Sequence, residues 1–367
     1  MPCTPKPDAR AAWQRARRVL AVRVDNLGDV LMTTPALAAL KESLPGAHLT
    51  LLTSPSGAAL APHLPMVDAV IAHAASWAKH ERPATALDEF MLVQRLAEGG
   101  FDAAVIFTVC TQSPLPAATL LRLAGIPLRA AHCRENPYEL LTHWQPETDT
   151  DFATARHEVR RQLDLVGALG FRTADERLRF ALRPADGESL AAKLRLAGLA
   201  PGARWIVVHP GATAASRRYP AERFGLAAQA VAQDSGCTIV FTGAAHEQPL
   251  IAAAQSMMRR PSLSLAGALS LGELAALIAG AQALIANNTG PVHLAAALGT
   301  PVVDLYALTN PQHTPWAVPA RVLNHDVPCR HCLKSVCPQG HHDCLLQVPP
   351  EAVAQAALEL AAPQRNA

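Results

Sequence analysis

The stretch Val19-Leu20-Ala21-Val22-Arg23-Val24-Asp25-Asn26-Leu27-Gly28-Asp29-Val30 decides the fold. Residues 19–25 form a short apolar run and read as a buried strand, and Asn26-Leu27-Gly28-Asp29 reads as a turn. Val30, Thr34, Leu37, Leu40 and Leu44 then recur three or four apart, the spacing of one helix face, until Pro45-Gly46 stops the helix. A strand feeding a helix through a tight turn opens a βαβ unit.

The rhythm continues outward. Strands are expected at His48–Thr53, 67–72 and 102–108, with helices near 84–97, 115–124 and 154–169. The charged, less periodic stretch 171–186 reads as a linker. Strands then recur at Trp205–His209, 238–242, 283–286 and 302–306, with helices near 221–233, 248–258, 291–298 and 350–360. Ser270-Leu271-Gly272-Glu273 is a capping box opening one more helix. The fold class is therefore α/β: two doubly wound parallel sheets, each covered on both faces, with a ligand cleft expected at the strands' carboxyl ends.

Composition agrees. A chain of 367 residues can bury two cores. Its net charge of +2 lacks the basic excess of a generic nucleic-acid binder, so no nucleic-acid partner is expected. With 50% hydrophobic residues and only 4% aromatic ones, the cores must be aliphatic. No run approaches the roughly 20 apolar residues of a membrane span. The basic start (Arg10, Arg15, Arg17, Arg18) is not followed by a secretory apolar region, so a cytoplasmic setting with reduced thiols is expected. That start reads as a solvated tail or a weak attraction to an anionic membrane surface.

Three places carry chemistry. In Asn287-Asn288-Thr289-Gly290-Pro291-Val292-His293 a strand delivers a helix start whose N–H groups and dipole suit a diphosphate, with His293 one turn inside. An ordinary strand–helix turn would look the same. Arg217 and Arg218, after His209-Pro210-Gly211-Ala212-Thr213, could bind phosphate oxygens bidentately or be solvated surface. Asp29, at a strand end before a helix, could cap that helix or act as a general base on a substrate hydroxyl. Asp149 and Asp151 mimic a DxD metal motif but sit in a polar stretch, not after an apolar strand.

These residues resemble the motifs of the bacterial lipopolysaccharide heptosyltransferases, glycosyltransferase family 9. The likeness lies in residues 23–37, in His209-Pro210-Gly211-Ala212 with Arg217-Arg218-Tyr219-Pro220, and in residues 288–301. The resemblance implies a GT-B fold of two Rossmann-like domains facing a cleft. An acceptor domain would span 1–175 and an ADP-sugar domain 186–348, with the last helix, 349–367, packing back on the first. It implies inverting transfer of heptose from ADP-heptose to an inner-core lipopolysaccharide sugar, without a catalytic metal, at the cytoplasmic face of the inner membrane with peripheral membrane contact. Asp29 falls on the family's base. Thr213, Arg217, Glu247, Asn288, Thr289, Gly290 and His293 fall on donor-binding positions. Arg217 replaces a lysine, and Asn288 replaces an aspartate that helps hold the sugar. The second departure leaves room for another sugar, for a protein or capsule acceptor, or for a non-catalytic nucleotide- or glycan-binding relative. A nicotinamide oxidoreductase would share the rhythm but need a glycine-rich G-x-G-x-x-G turn, which is missing after the first strand.

Two further groups remain. Cys329, Cys332, Cys337 and Cys344, with His331, His341 and His342 between them, carry enough soft ligands for a structural zinc or iron, or else are reduced thiols or a disulfide pair. Arg122, Arg129 and Arg134 form a basic stretch, with Arg156, Arg160 and Arg161 as a second, and either could attract an anionic acceptor or be solvated.

Overall fold

The computed structural model describes residues 7–149, 151–152 and 154–362. The chain divides into two compact units, the first ending at Ala181 and the second beginning at Leu182.

In the first unit the elements run α1 (Pro7–Gln14), β1 (Arg18–Arg23), α2 (Leu27–Ser43), β2 (His48–Thr53), α3 (Pro55–Ala58), β3 (Ala69–Ala72), α4 (Ala86–Glu98), β4 (Ala103–Ile106), α5 (Leu115–Leu123), β5 (Leu128–Cys133), β6 (His143–Pro146) and α6 (Glu158–Ala168). All six strands pair in parallel in the order β3-β2-β1-β4-β5-β6. Alternation puts Leu20, Val22, Leu52 and Ile106 on one face, against Leu92 and Leu96 of α4 and Leu121 of α5. Val19, Ala21, Leu51 and Val105 are equally buried on the other face.

The spacing of α2 predicts one apolar face, yet every residue from Val30 to Leu40 is buried. The helix is enclosed on all sides, packing on α6 as well as beside β1. Pro35 in its interior cannot donate to Leu31 O, and the Thr34 hydroxyl takes that carbonyl at 2.6 Å. The start of the chain is not a solvated tail: α1 buries Trp13, edge-on to His143 and Phe171.

The second unit runs α7 (Pro184–Leu196), β7 (Trp205–His209), α8 (Ala221–Ser235), β8 (Thr238–Phe241), α9 (Gln248–Ser256), β9 (Ser262–Ser264), α10 (Leu271–Ala279), β10 (Leu284–Asn287), α11 (Gly290–Leu298), β11 (Val302–Leu305), β12 (Ala320–Leu323), α12 (Asp343–Leu346) and α13 (Pro350–Ala361). Its six parallel strands have the order β12-β11-β10-β7-β8-β9. The expected capping box opens α10: Ser270 Oγ accepts from Glu273 N–H at 3.3 Å, and Ser270 N–H donates to Glu273 Oε2 at 2.7 Å.

The last helix departs from expectation. Val353, Ala354, Ala356 and Ala357 of α13 belong to the core formed with Phe224 and Val231 of α8 and Val303 of β11. The small alanines let α13 lie close on α8, so its apolar face is spent inside the second unit. Among the described residues no helix is long and apolar enough to cross a membrane.

Candidate active site

In each sheet the winding reverses once, between β1 and β4 in the first and between β7 and β10 in the second. Crevices beyond the strands' carboxyl ends at such reversals are the usual ligand sites of open parallel sheets. The candidate residues that emerge from the motifs lie at these two places.

In the first unit, β1 ends on Arg23, which is fully buried. A charge in that position must be paired. Its guanidinium lies 3.0 Å from Asp25 Oδ2, 3.3 Å from Asp29 Oδ1 and 2.9 Å from Glu158 Oε1. Asp29 and Glu158 each stand in the first turn of a helix, α2 and α6, whose dipoles favour a carboxylate there. Asp29 caps as well, its Oδ2 accepting from Asn26 N–H at 3.2 Å. Of these carboxylates its side chain is the most accessible, at 14% against 8% for Asp25 and none for Glu158. Burial raises the Asp25 pKa, against the pull of Arg23, and Gln112 Nε2 donates to Asp25 Oδ1 at 2.7 Å. Beside this cluster a cavity of about 230 Å³ lies at the β1/β4 reversal, lined by Val22, Val24, Ile106, Phe107, Trp77 and Gln112 among others.

The network continues away from Asp29. Arg161, also buried, donates to Glu147 and to Thr108 O, while Arg156 lies 3.1 Å from Asp149 Oδ1 and 2.8 Å from Asp164 Oδ2. Asp149 is thus an ion-pair partner of an arginine, which argues against a DxD metal role; the Thr150 between it and Asp151 lies outside the described residues.

Two of the three expected acceptor arginines, Arg122 and Arg129, lie at the other edge of the sheet. Arg129 is buried near the start of β5 and donates to the carbonyls of Ile126, Leu140 and Glu139, so its donors are spent on the fold. Arg122 donates to the same Glu139 carbonyl at 2.7 Å. Both therefore lie at the amino edge of a parallel sheet whose carboxyl edge carries Asp29. Arg134, just past the carboxyl end of β5, is exposed and donates to Asp149 O at 2.8 Å.

In the second unit Asn287, at the end of β10 and fully buried, organises the reversal. Its Nδ2 donates to Pro210 O at 2.7 Å and its Oδ1 accepts from Tyr219 N–H at 2.9 Å. One amide thereby ties the loop after β7 and the Arg217-Arg218 segment to the start of α11. The two arginines then part company. Arg218 Nε donates to Ala212 O at 2.7 Å and holds the Thr213 loop. Arg217 is half-buried and its side chain has no hydrogen bond or ion pair among the described residues, and its charge lies near enough to Tyr306 to favour the phenolate. Thr213 itself is exposed.

Helix α11 begins without a side-chain cap, because the Thr289 hydroxyl donates back to Asn287 O at 3.2 Å. Pro291 has no N–H and the Val292 N–H donates to Thr289 O at 3.0 Å, so the Gly290 N–H is the one at this helix start left for another acceptor among the described residues. His293 is buried one turn inside. Gly299 closes the helix at φ +75°, as expected. A Cβ at Gly211 would run into the Glu247 carboxylate, and one at Gly243 would lie 3.0 Å from it, so two glycines at the ends of β7 and β8 make room for Glu247. Glu247 Oε2 accepts from Ala244 N–H at 2.8 Å.

The cysteine segment does not fit the metal expected of it. Among the described residues no three His, Cys, Asp or Glu side chains gather as ligands; in the segment Cys329 Sγ lies 3.8 Å from His341 Nε2. Burial raises the Cys344 thiol pKa, and Cys337, Cys329 and Cys332 add to it. The segment props the loop that carries Arg217: Ser216 Oγ donates to Lys334 O at 2.6 Å and Ser216 N–H to Ser335 O at 3.0 Å.

Three residues of this arrangement escaped the motif reading. Arg23 carried a signal, as a lone cation inside an apolar run, and Asp304 another, as an acid inside the run 302–306. Glu158 had none, since it meets Arg23 across 135 positions.

The comparisons with known proteins bear on these places. The model of glycosyltransferase family 9 (heptosyltransferase) matches residues 90–342. Lipopolysaccharide heptosyltransferase 1 of Pseudomonas aeruginosa is 29% identical over 327 residues, 87% of each chain. Among solved structures, a family 9 glycosyl transferase from Veillonella parvula has a TM-score of 0.79 at 24% identity, covering 94% of this chain and 97% of that one. An Escherichia coli heptosyltransferase with ADP-2-deoxy-2-fluoro heptose has a TM-score of 0.63 at 22% identity, covering 93% and 99%. The structural likenesses carry the fold, GT-B, with its two doubly wound units.

Proposed function

Because this chain belongs to glycosyltransferase family 9, the heptosyltransferases, we propose that it moves a heptose from ADP-heptose to a sugar of the lipopolysaccharide inner core. The observation that carries the donor half is the uncommitted Arg217 near an uncapped helix start at the β7/β10 reversal. A half-buried guanidinium and the free Gly290 N–H at the positive end of a helix suit a diphosphate. The ADP-2-deoxy-2-fluoro heptose of the structural relative belongs to the same donor class.

The reaction is a direct displacement with inversion. Asp29 takes the proton from the acceptor hydroxyl as that oxygen attacks the anomeric carbon, and the bond to the ADP oxygen breaks. Arg23 keeps Asp29 aimed. Arg217 and the start of α11 take up the negative charge that develops on the departing ADP, the task a metal performs in other transferases. Thr213, Glu247, Asn288, Thr289, Gly290 and His293 complete the donor pocket, with Glu247 towards the ribose. The mostly apolar cavity beside Gln112 supports an acceptor site at the β1/β4 reversal. An acceptor attached to lipid places the work at the cytoplasmic face of the inner membrane.

A panel of nucleotide sugars tests the donor. Thermal stabilisation by ADP-heptose above ADP, and none by UDP- or GDP-sugars, supports the reading; a preference for a UDP-sugar overturns it.

A further inference from the structure

We propose that Asp304 is a positioning residue that fixes the side-chain amide of Asn288 with its oxygen towards the donor sugar. The inference rests on the ADP-heptose reading above and adds to it how the sugar is recognised.

Asn288 follows β10, its N–H donating to Leu305 O of β11 at 3.2 Å. Its Nδ2 lies 2.9 Å from Asp304 Oδ2 and 2.9 Å from His313 O. An amide has two N–H donors, and both are thereby used. Turning it over would set its carbonyl oxygen against that of His313, which can only accept, losing that hydrogen bond and adding repulsion. Its orientation is therefore fixed, and Oδ1 is the polar atom left for a ligand. A carboxylate at 288 would meet the same His313 carbonyl oxygen. Asparagine at 288 and aspartate at 304 thus form one arrangement, and the asparagine is no mere weakening of a family motif.

Asp304 is fully buried in the middle of β11, and its Oδ1 has no hydrogen-bond partner among the described residues. Keeping a carboxyl half-satisfied in a core is costly. Burial pushes its pKa up to about 8, so at neutral pH it is mostly the uncharged acid, still able to accept from Asn288 through its carbonyl oxygen. What it contributes is an acceptor at one place. The ligand class follows: Asn288 Oδ1 accepts from a hydroxyl of the donor sugar, a contact that ADP alone cannot make.

Titration calorimetry on the full chain with ADP-heptose and with ADP tests this, using Asp304→Leu, Asn288→Ala, their double variant and Asp304→Asn. Asp304→Ala replaces the leucine variant if that does not fold. The wild type should bind ADP-heptose about 10-fold more tightly than ADP, the size of one or two good hydrogen bonds. Asp304→Leu and Asn288→Ala should each erase most of that preference while the affinity for ADP stays within about twofold, and the double variant should lose no more than Asn288→Ala alone. Asp304→Asn, which still presents an acceptor oxygen, should retain the preference. An Asp304→Leu or Asp304→Ala chain that keeps the preference, or a double variant whose losses multiply, overturns the positioning role while leaving the donor reading intact. A wild-type chain that binds ADP-heptose no better than ADP overturns the donor reading and the sugar contact together.

Discussion

Arg23 Nη2 lies 3.3 Å from Asp29 Oδ1, while Nη1 of the same guanidinium lies 2.9 Å from Glu158 Oε1. One buried cation thus links the residue proposed as base to a carboxylate at the start of a different helix. Three acids around a single arginine leave that arginine without a substitute.

Replacing Arg23 by leucine strands Asp25, Asp29 and Glu158 together, and stability should fall by about 3–5 kcal/mol, the cost of breaking a buried ion pair. Urea denaturation measures it. Arg23→Lys should fold, but one ammonium cannot reach three carboxylates as a planar guanidinium does. Its kcat should drop at least about 10-fold with the donor KM unchanged, since the defect is in aiming Asp29 and not in holding ADP.

Arg217 and Arg218 should behave differently although they are neighbours. Arg217→Ala should weaken ADP binding by about 10–100-fold, the value of charge-assisted hydrogen bonds, and leave Tm alone. Arg218→Ala releases Ala212 O and should lower Tm, with a smaller effect on ADP. Equal losses of ADP affinity would contradict the division.

Arg129→Ala should cost about 1–3 kcal/mol, because several carbonyls lose their donor. The acceptor KM of the folded fraction should not move. A raised acceptor KM at unchanged stability would return Arg129 to the acceptor site.

Asp304 makes stability depend on pH. Its folded pKa of about 8 lies above the ordinary 3.8, so between those values the folded chain binds a proton that the unfolded chain has lost. Stability from this group is complete below about pH 4 and declines as pH rises towards 8. Asp304→Asn carries no such term. The Tm difference between Asp304→Asn and the wild type should therefore grow in the variant's favour from pH 5 to pH 8, with Tyr306, whose pKa burial and Asp304 raise, titrating above that window. A constant difference would show that Asp304 is ionised throughout.

The parallel strands were legible where they are contiguous aliphatic runs: His48–Thr53 and Trp205–His209 coincide with β2 and β7. The edge strand β3 falls within the expected 67–72, but the edge strands β6, β9 and β12 and the interior strand β5 were not expected. His143-Trp144-Gln145-Pro146 is half-buried throughout, and the three residues of β9 are no better covered, so neither has a periodicity to read. Helix α7 begins inside the stretch taken as linker, where Pro184 and Gly187 mask its helical spacing. The motifs located Asp29, Arg217 and Asn288 because short loops at strand ends hold them. Glu158 comes to Arg23 only through the packing of the fold, and no local pattern announces it; Asp304 stands out as an acid inside an apolar run, but that run does not point to Asn288 as its partner.

The account stands or falls on Asp29. Transfer of heptose from ADP-heptose to a heptose-deficient lipopolysaccharide core should be measured for the wild type and Asp29→Ala, with ADP-heptose binding measured alongside. The account predicts transfer lowered at least about 100-fold, as for loss of a general base, with binding within about twofold. Near-normal transfer by Asp29→Ala would contradict it.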